Sequence, residues 1–228
     1  MKSSFHEKRN IGLLLTFIGG AIDSYTYIHY DAFASAQTGN IILTIIQAFD
    51  GKWLSVGTKV LSTCFFVLGI LLTKFLIDYF KKKEQHSWRL FVLYFEAMVF
   101  FLIGLAPLNV HPALVTILIA FTAAVQWVSF DKINGRVYTN VFTTGNLKGV
   151  ATNFYDYMTT KKQSAFDEFI HYLLVVLAFI FGAAASVFCY HLFAAKAIFM
   201  VSILLFLLAC FETFKIWYFY HESGIKRS

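Results

Sequence analysis

Apolar residues in this chain come in long runs rather than at alternating positions. Six runs approach the ~20 residues that an α-helix needs to cross a ~30 Å hydrocarbon layer. They are 11–30, 57–80, 90–108, 113–130, 169–193 and 197–220. A seventh apolar stretch, 41–49, is too short to cross alone. It reads as a half-helix or a re-entrant piece, which must pack against protein or line a wet cavity because lipid-exposed irregular backbone is not tolerated at membrane depth. The pattern predicts an all-α, polytopic membrane protein with six transmembrane helices.

The polar positions between the runs set an orientation. Lys2, Lys8 and Arg9 precede the first run; Lys81, Lys82, Lys83 and Arg89 follow the second. Lys132, Arg136, Lys148, Lys161 and Lys162 follow the fourth, and Lys226 and Arg227 close the chain. These are 14 of the 19 basic residues, all on even-numbered connections or tails, so the positive-inside rule places both termini in the cytoplasm. Counting 41–49 as a full crossing would break this parity.

Composition agrees. The 228 residues are 58% hydrophobic and only 14% charged, with 27 Phe and a mean hydropathy of +0.65. That is too little charge to cover a water-soluble domain of this size. The net charge of +6 sits in the flanks of apolar runs, which argues for membrane orientation and against nucleic acid. Trp53, Trp88, Trp127 and Trp217 fall near run ends and suit interfacial belts. Cys64, Cys189 and Cys210 lie inside apolar runs without metal or redox spacing. Both prolines, Pro107 and Pro112, fall in one short connection. The apolar run after Lys8 and Arg9 loosely resembles a secretory signal, but Asp23 and a Tyr-rich stretch precede any cleavage point, and the first span is expected to stay.

One polar triplet recurs. Thr38-Gly39-Asn40 returns as Thr144-Gly145-Asn146, 106 residues later. Each copy follows an apolar span carrying a polar residue (Asp23, Gln126) and a polar, Tyr-containing stretch, and each precedes a short helical segment and two further spans. Three spans per half is an odd number, so two like-folded halves, 1–110 and 111–228, would sit upside down relative to one another. Such inverted repeats recur in secondary transporters, with the substrate site between the halves near the midplane. On this reading Gly39 and Gly145 supply backbone freedom where the chain reverses, and Thr or Asn caps the helix that follows. The two helix starts then expose N–H groups to a shared centre able to hold an anion or a polar group. The alternative is that both triplets cap helices at the membrane surface. The second segment, "LKGVATNFYDYM", is more polar than "IILTIIQAF" and suits the cytoplasmic surface.

Ionisable residues inside spans are functional candidates by default. Asp23 follows "FIGGAI", where Gly19 and Gly20 permit close helix approach. It is a candidate substrate or proton site, against a reading as a carboxylate satisfied by neighbouring donors. Glu96, ~10 Å inside the third span, has no local counter-charge and is the second proton-coupling candidate. Glu212 has Lys215 three residues on, which predicts a structural ion pair. The histidines offer no metal spacing, and no nucleophile, Walker or zinc-protease motif appears, so neither an enzyme nor a cofactor is expected.

The run "GGAIDSYTYIHYDAFASAQTGN", with "TNVFTTGNL" downstream, resembles the YoaK-like family of bacterial inner-membrane proteins of unknown function. The resemblance covers nearly the whole chain and implies six helices and a bacterial plasma membrane; it brings no activity. The expected function is therefore a small transporter or permease for a small polar or anionic solute, with Asp23, Gln37, Thr38, Gly39, Asn40, Gln126, Thr144, Gly145 and Asn146 as binding candidates. A non-transporting scaffold or accessory subunit is the alternative, and a membrane-embedded enzyme a more distant one. The expected partners are the lipid bilayer and the solute, and a homodimer is the alternative to a chain that encloses its pathway alone.

Overall fold

The structure is a computed structural model that describes residues 5–83, 85, 87–105 and 111–225, with side chains described from residue 6 to residue 218 of these. Pro107, the end of the third predicted span and the basic residues at both extreme termini lie outside the described residues. Among the described residues the α-helices are, in order, α1 (Arg9–Tyr30), α2 (Gln37–Phe49), α3 (Trp53–Lys82), α4 (Trp88–Gly104), α5 (Pro112–Ser129), α6 (Thr144–Thr160), α7 (Gln163–Phe193) and α8 (Phe199–Ile225). A 3₁₀ turn, Ala194–Ile198, separates α7 from α8. Helices α1, α3 and α5 and the stretch 163–218 are long and apolar enough to cross a membrane. The last stretch contains both α7 and α8, and α4 is a 17-residue apolar helix.

One feature departs from the all-α expectation. Lys132–Ile133 and Arg136–Val137 form a two-residue hairpin closed by Asn134 and Gly135, both at positive φ. Asn-Gly is the preferred pair for such a turn, so the signal was present in the sequence. Asn134 N–H donates to Glu7 O at 2.7 Å and ties the hairpin to the chain start, and Arg136 pairs with Glu168 on α7 at 2.6 Å.

Helix packing crosses between the two halves of the chain. α1 lies along α7, α3 along α5, and α4 along α8. Backbones approach closely at small residues. A Cβ added at Gly20 would collide with Phe179 O, and one at Gly182 with Phe17 O, so α1 and α7 meet through reciprocal glycines. On the other pair, a Cβ at Gly69 would stand 2.8 Å from Phe121 O.

The short helices double back. Ser35 sits against Asp23, two turns before the end of α1, and from there α2 runs outward again until Gln47 reaches Asp31. Over the same length α2 lies antiparallel to the start of α3, with Gln37 opposite Thr63 and Gln47 opposite Ser55. The 41–49 stretch is thus part of a 13-residue helix, Gln37–Phe49, that doubles back beside α1. α6 behaves alike: Thr144 shares a cavity with Phe179, 16 residues into α7, while Tyr157 meets Phe166 near its start. α6 is exposed along most of its length, with Asn146 its one buried residue. Its polarity suits its exposed side, but its first turn is drawn inward by the buried Asn146.

Two tryptophans also depart from the belt pattern. Trp88 is buried and stacks on Phe80, and Trp127 packs between Phe66 and Phe142. Trp53 and Trp217 remain exposed. The predicted Glu212–Lys215 pair is present at 3.2 Å, and Lys8 adds a second cation at 3.0 Å.

Candidate functional site

The loops before α2 and α6 meet beside Asp23. Asp23 Oδ1 accepts the Ser35 N–H at 2.7 Å, and its Oδ2 lies 2.7 Å from Ser35 Oγ. The amides of Ala34 and Ala36 also approach the carboxyl. Ser35 Oγ is within hydrogen-bond reach of a second acceptor, Val141 O, in the loop before α6. Ser35 and Val141 stand 106 residues apart, the same offset that relates the two Thr-Gly-Asn triplets.

Each triplet asparagine holds its own loop in the same manner. Asn40 Oδ1 accepts from Phe33 N–H and its Nδ2 donates to Phe33 O, both at 2.8 Å. Asn146 Oδ1 accepts from Thr139 N–H at 3.3 Å and its Nδ2 donates to Thr139 O at 2.8 Å. In both cases the amide brackets the residue seven positions earlier, and both asparagines are fully buried. A loop drawn below the helix ends needs such partners, since buried peptide groups left unpaired cost ~1–3 kcal/mol each.

These contacts correct the expected roles of the triplet. The N-cap residues are Ala36 and Thr143, and neither α2 nor α6 has a side-chain cap bond. Gly39 and Gly145 lie inside helical turns rather than at reversals; among the described glycines only Gly51 and Gly135 have positive φ. Gly39 is small because a Cβ would stand 2.9 Å from the Phe33 ring, whereas at Gly145 a Cβ would meet nothing within 4 Å. Gln37 spans inward, donating to Ala34 O and accepting from Thr63 Oγ1 and Asn40 Nδ2. Gln126 is buried and donates to Leu15 O at 3.1 Å, joining α5 to α1. Thr38 is exposed.

A cavity of about 410 Å³ opens where these elements join. Asp23, Ser24, Tyr27 and Ile28 of α1, Phe33 and Ala36 of the first loop, Phe142, Thr143 and Thr144 of the second, and Phe179 and Val187 of α7 line it. Of the predicted residues it brings together Asp23 and Thr144; the other binding candidates lie outside its lining. Glu96 is also elsewhere, fully buried in α4, and neither of its carboxyl oxygens has a hydrogen-bond partner among the described residues. Sequence reasoning marked Ser24 and Tyr27 as local donors beside Asp23 but did not single out Ser35, Thr143 or the walls of Phe33, Phe142 and Phe179. Only the 106-residue offset, applied position by position, pairs Ser35 with Val141.

A second polar cluster holds α2 to α3. Lys59 is 1% exposed, with Nζ 2.9 Å from Gln47 Oε1, 3.0 Å from Ser55 Oγ and 3.5 Å from Asp31 Oδ2. Gln47 Nε2 donates to the same Asp31 oxygen. Among the described residues no group of three or more His, Cys, Asp or Glu is arranged to hold a metal.

In comparisons with known proteins, the family described as "Protein of unknown function (DUF1275)" matches residues 11–211. No curated protein and no solved structure matches the chain.

Proposed function

The chain belongs to the DUF1275 family, whose description carries no activity, and on the geometry of the two loops we propose that it is a small secondary transporter built from two inverted three-span halves. The halves are 1–110 and 111–228, and the spans are α1, α3, α4, α5, α7 and α8, with both termini cytoplasmic in a bacterial plasma membrane. Helix packing supports the pairing of halves. The first helix of each half lies along the third-position helix of the other (α1 on α7, α5 on α3), each re-entrant helix lies along the span after it, and the two last helices lie on each other. A two-fold relation sends every one of these contacts to another in the set. The observation that carries the reading is the matched bracket at Asn40 and Asn146, with Ser35 reaching Val141 across the junction.

In this reading the solute site is the cavity at Asp23, where two broken-backbone tips converge, as they do in transporters of this architecture. Asp23 already occupies the position at the start of α2 that an incoming anion would take, so the site favours a polar solute without negative charge. No catalytic step is part of the proposal.

A thermal-shift screen of small solutes on detergent-purified protein tests the site. Genuine ligands raise the melting temperature of the wild type and lose that shift in both Asp23→Asn and the cavity-filling Val187→Phe. Ligands whose shifts survive both substitutions would place the site elsewhere.

A further inference from the structure

Resting on the reading of this cavity as the solute site, we infer that it takes a small organic cation, an ammonium head on an apolar body, in exchange for a proton carried by Asp23. Hydrogen-bond accounting at Ser35 supplies the proton. Its hydroxyl has a single hydrogen and lies within reach of two acceptors, Asp23 Oδ2 and Val141 O. When Asp23 is ionised, the hydroxyl can satisfy only one of them. When Oδ2 carries a proton, it donates to Ser35 Oγ, which donates to Val141 O, and every group is paired. The resting arrangement is therefore a protonated Asp23 joined to the other half of the chain through Ser35.

The walls supply the cation. None of the described salt bridges involves Asp23, and no Lys, Arg or His lines the cavity. The Asp23 hydrogen-bond partner Ser35 and the residues that share the cavity are uncharged: Ser24 and Tyr27 on α1, Ala36 on the first loop, Phe142, Thr143 and Thr144 on the second, Phe179 and Val187 on α7. An ionised Asp23 in this place has the Ser35, Ala34 and Ala36 amides but no cation to balance it, and a membrane interior makes that uncompensated charge costly. The aromatic residues Tyr27, Phe33, Phe142 and Phe179 line the cavity, Tyr27 and Phe33 stacked on each other with centroids 4.6 Å apart, and aromatic walls attract cations and cover apolar groups. Thr143 lines the cavity, and its buried Oγ1 has no hydrogen-bond partner among the described residues, so an entering N–H that reaches it would satisfy it. Charge balances in the exchange: the ammonium enters as the proton leaves Oδ2 for solvent. Ser35 then turns its hydrogen to the carboxylate, Val141 O loses its donor, and the contact between the halves loosens.

The test is equilibrium binding to purified protein with a matched set of probes: benzylammonium and tetraethylammonium, benzoate, and benzyl alcohol. Both cations are expected to bind, more tightly as pH rises, with calorimetry in two buffers showing about one proton released per cation. Asp23→Asn should weaken cation binding by about tenfold or more without lowering the melting temperature, since its amide donates to Ser35 as the protonated acid does. Thr143→Val should weaken benzylammonium by about threefold to tenfold. Benzoate binding that Val187→Phe abolishes would overturn the cation class while leaving the site in place. Cation binding without proton release would overturn the exchange. If neither cation binds the wild type, the inference falls; if no probe or screened solute responds to Asp23→Asn or Val187→Phe, the reading of the site falls with it.

Discussion

The two short helices α2 and α6 carry the same triplet and the same asparagine bracket, yet they are fixed by different surroundings. α2 is held along its length by a polar seam on α3 in which Ser55, Lys59 and Thr63, one helical turn apart, meet Gln47 and Gln37. Its opposite side is a broad apolar face of Ile41, Ile42, Ile45, Ile46 and Phe49, all exposed. α6 has no counterpart of that seam among the described hydrogen bonds. It leans on α7 through aromatic contacts, Phe154 on Phe169 and Tyr157 on Phe166, and shows a mixed face of Leu147, Lys148, Tyr155 and Met158. The bracket is thus the minimal device for sending a loop inward, while the seam is a separate device that locks one helix and not the other. Burying a lysine in that seam is tolerable because three oxygen acceptors surround its ammonium.

The comparison can be broken most forcefully at the brackets. Asn40→Ala strands both peptide groups of Phe33 and is expected to cost about 3 kcal/mol of unfolding free energy, read by helical circular dichroism in a detergent titration. Asn146→Ala should cost about 2 kcal/mol, less because its contact to the Thr139 amide is already long at 3.3 Å. A near-zero effect at either position would remove the equivalence of the two loops. Lys59→Ala sharpens the difference between the helices. It should cost about 2 kcal/mol by the same measurement, the partly exposed Asp31 adding little, while Lys148→Ala on exposed α6 should stay within about 0.5 kcal/mol.

The smallest effects are the most discriminating, because they differ in sign. Gly39→Ala pushes a methyl group against the Phe33 ring and should destabilise by about 1 kcal/mol. Gly145→Ala adds a methyl into open space on a helix and should stabilise by about 0.5–1 kcal/mol. Equal effects at the two glycines would mean that the triplets are constrained alike, contrary to their surroundings.

Much of the architecture was legible in one dimension. The runs now seen as α1, α3, α5, α7 and α8 stood out by hydropathy, and the 41–49 stretch was too short to be anything but a partial helix. The Glu212–Lys215 pair followed from spacing on one helical face. The triplet itself was found, but its division of labour was not. Asn is a common capping residue, and nothing local reveals that Asn40 and Asn146 instead reach back seven positions to hold a peptide group. Asp23 was marked by its charge in an apolar run, whereas Ser35 is one small polar residue among several in "AFASAQ". Its weight comes from Val141, which lies in the other half of the chain.

The sequence by itself determined which segments are apolar enough to leave water, where they break, and the 106-residue offset at which the break recurs. Those properties are sums over neighbouring residues against the solvent, and a linear reading captures them. Tertiary structure alone decided which donors meet which acceptors: Asn40 with Phe33, Asn146 with Thr139, and Asp23 through Ser35 with Val141. The physical reason is that a buried polar group takes its partner from whatever packing brings within about 3 Å: for the two asparagines the fold of their own loop seven positions back, and for Ser35 and Val141 the way two halves of the chain lie against each other.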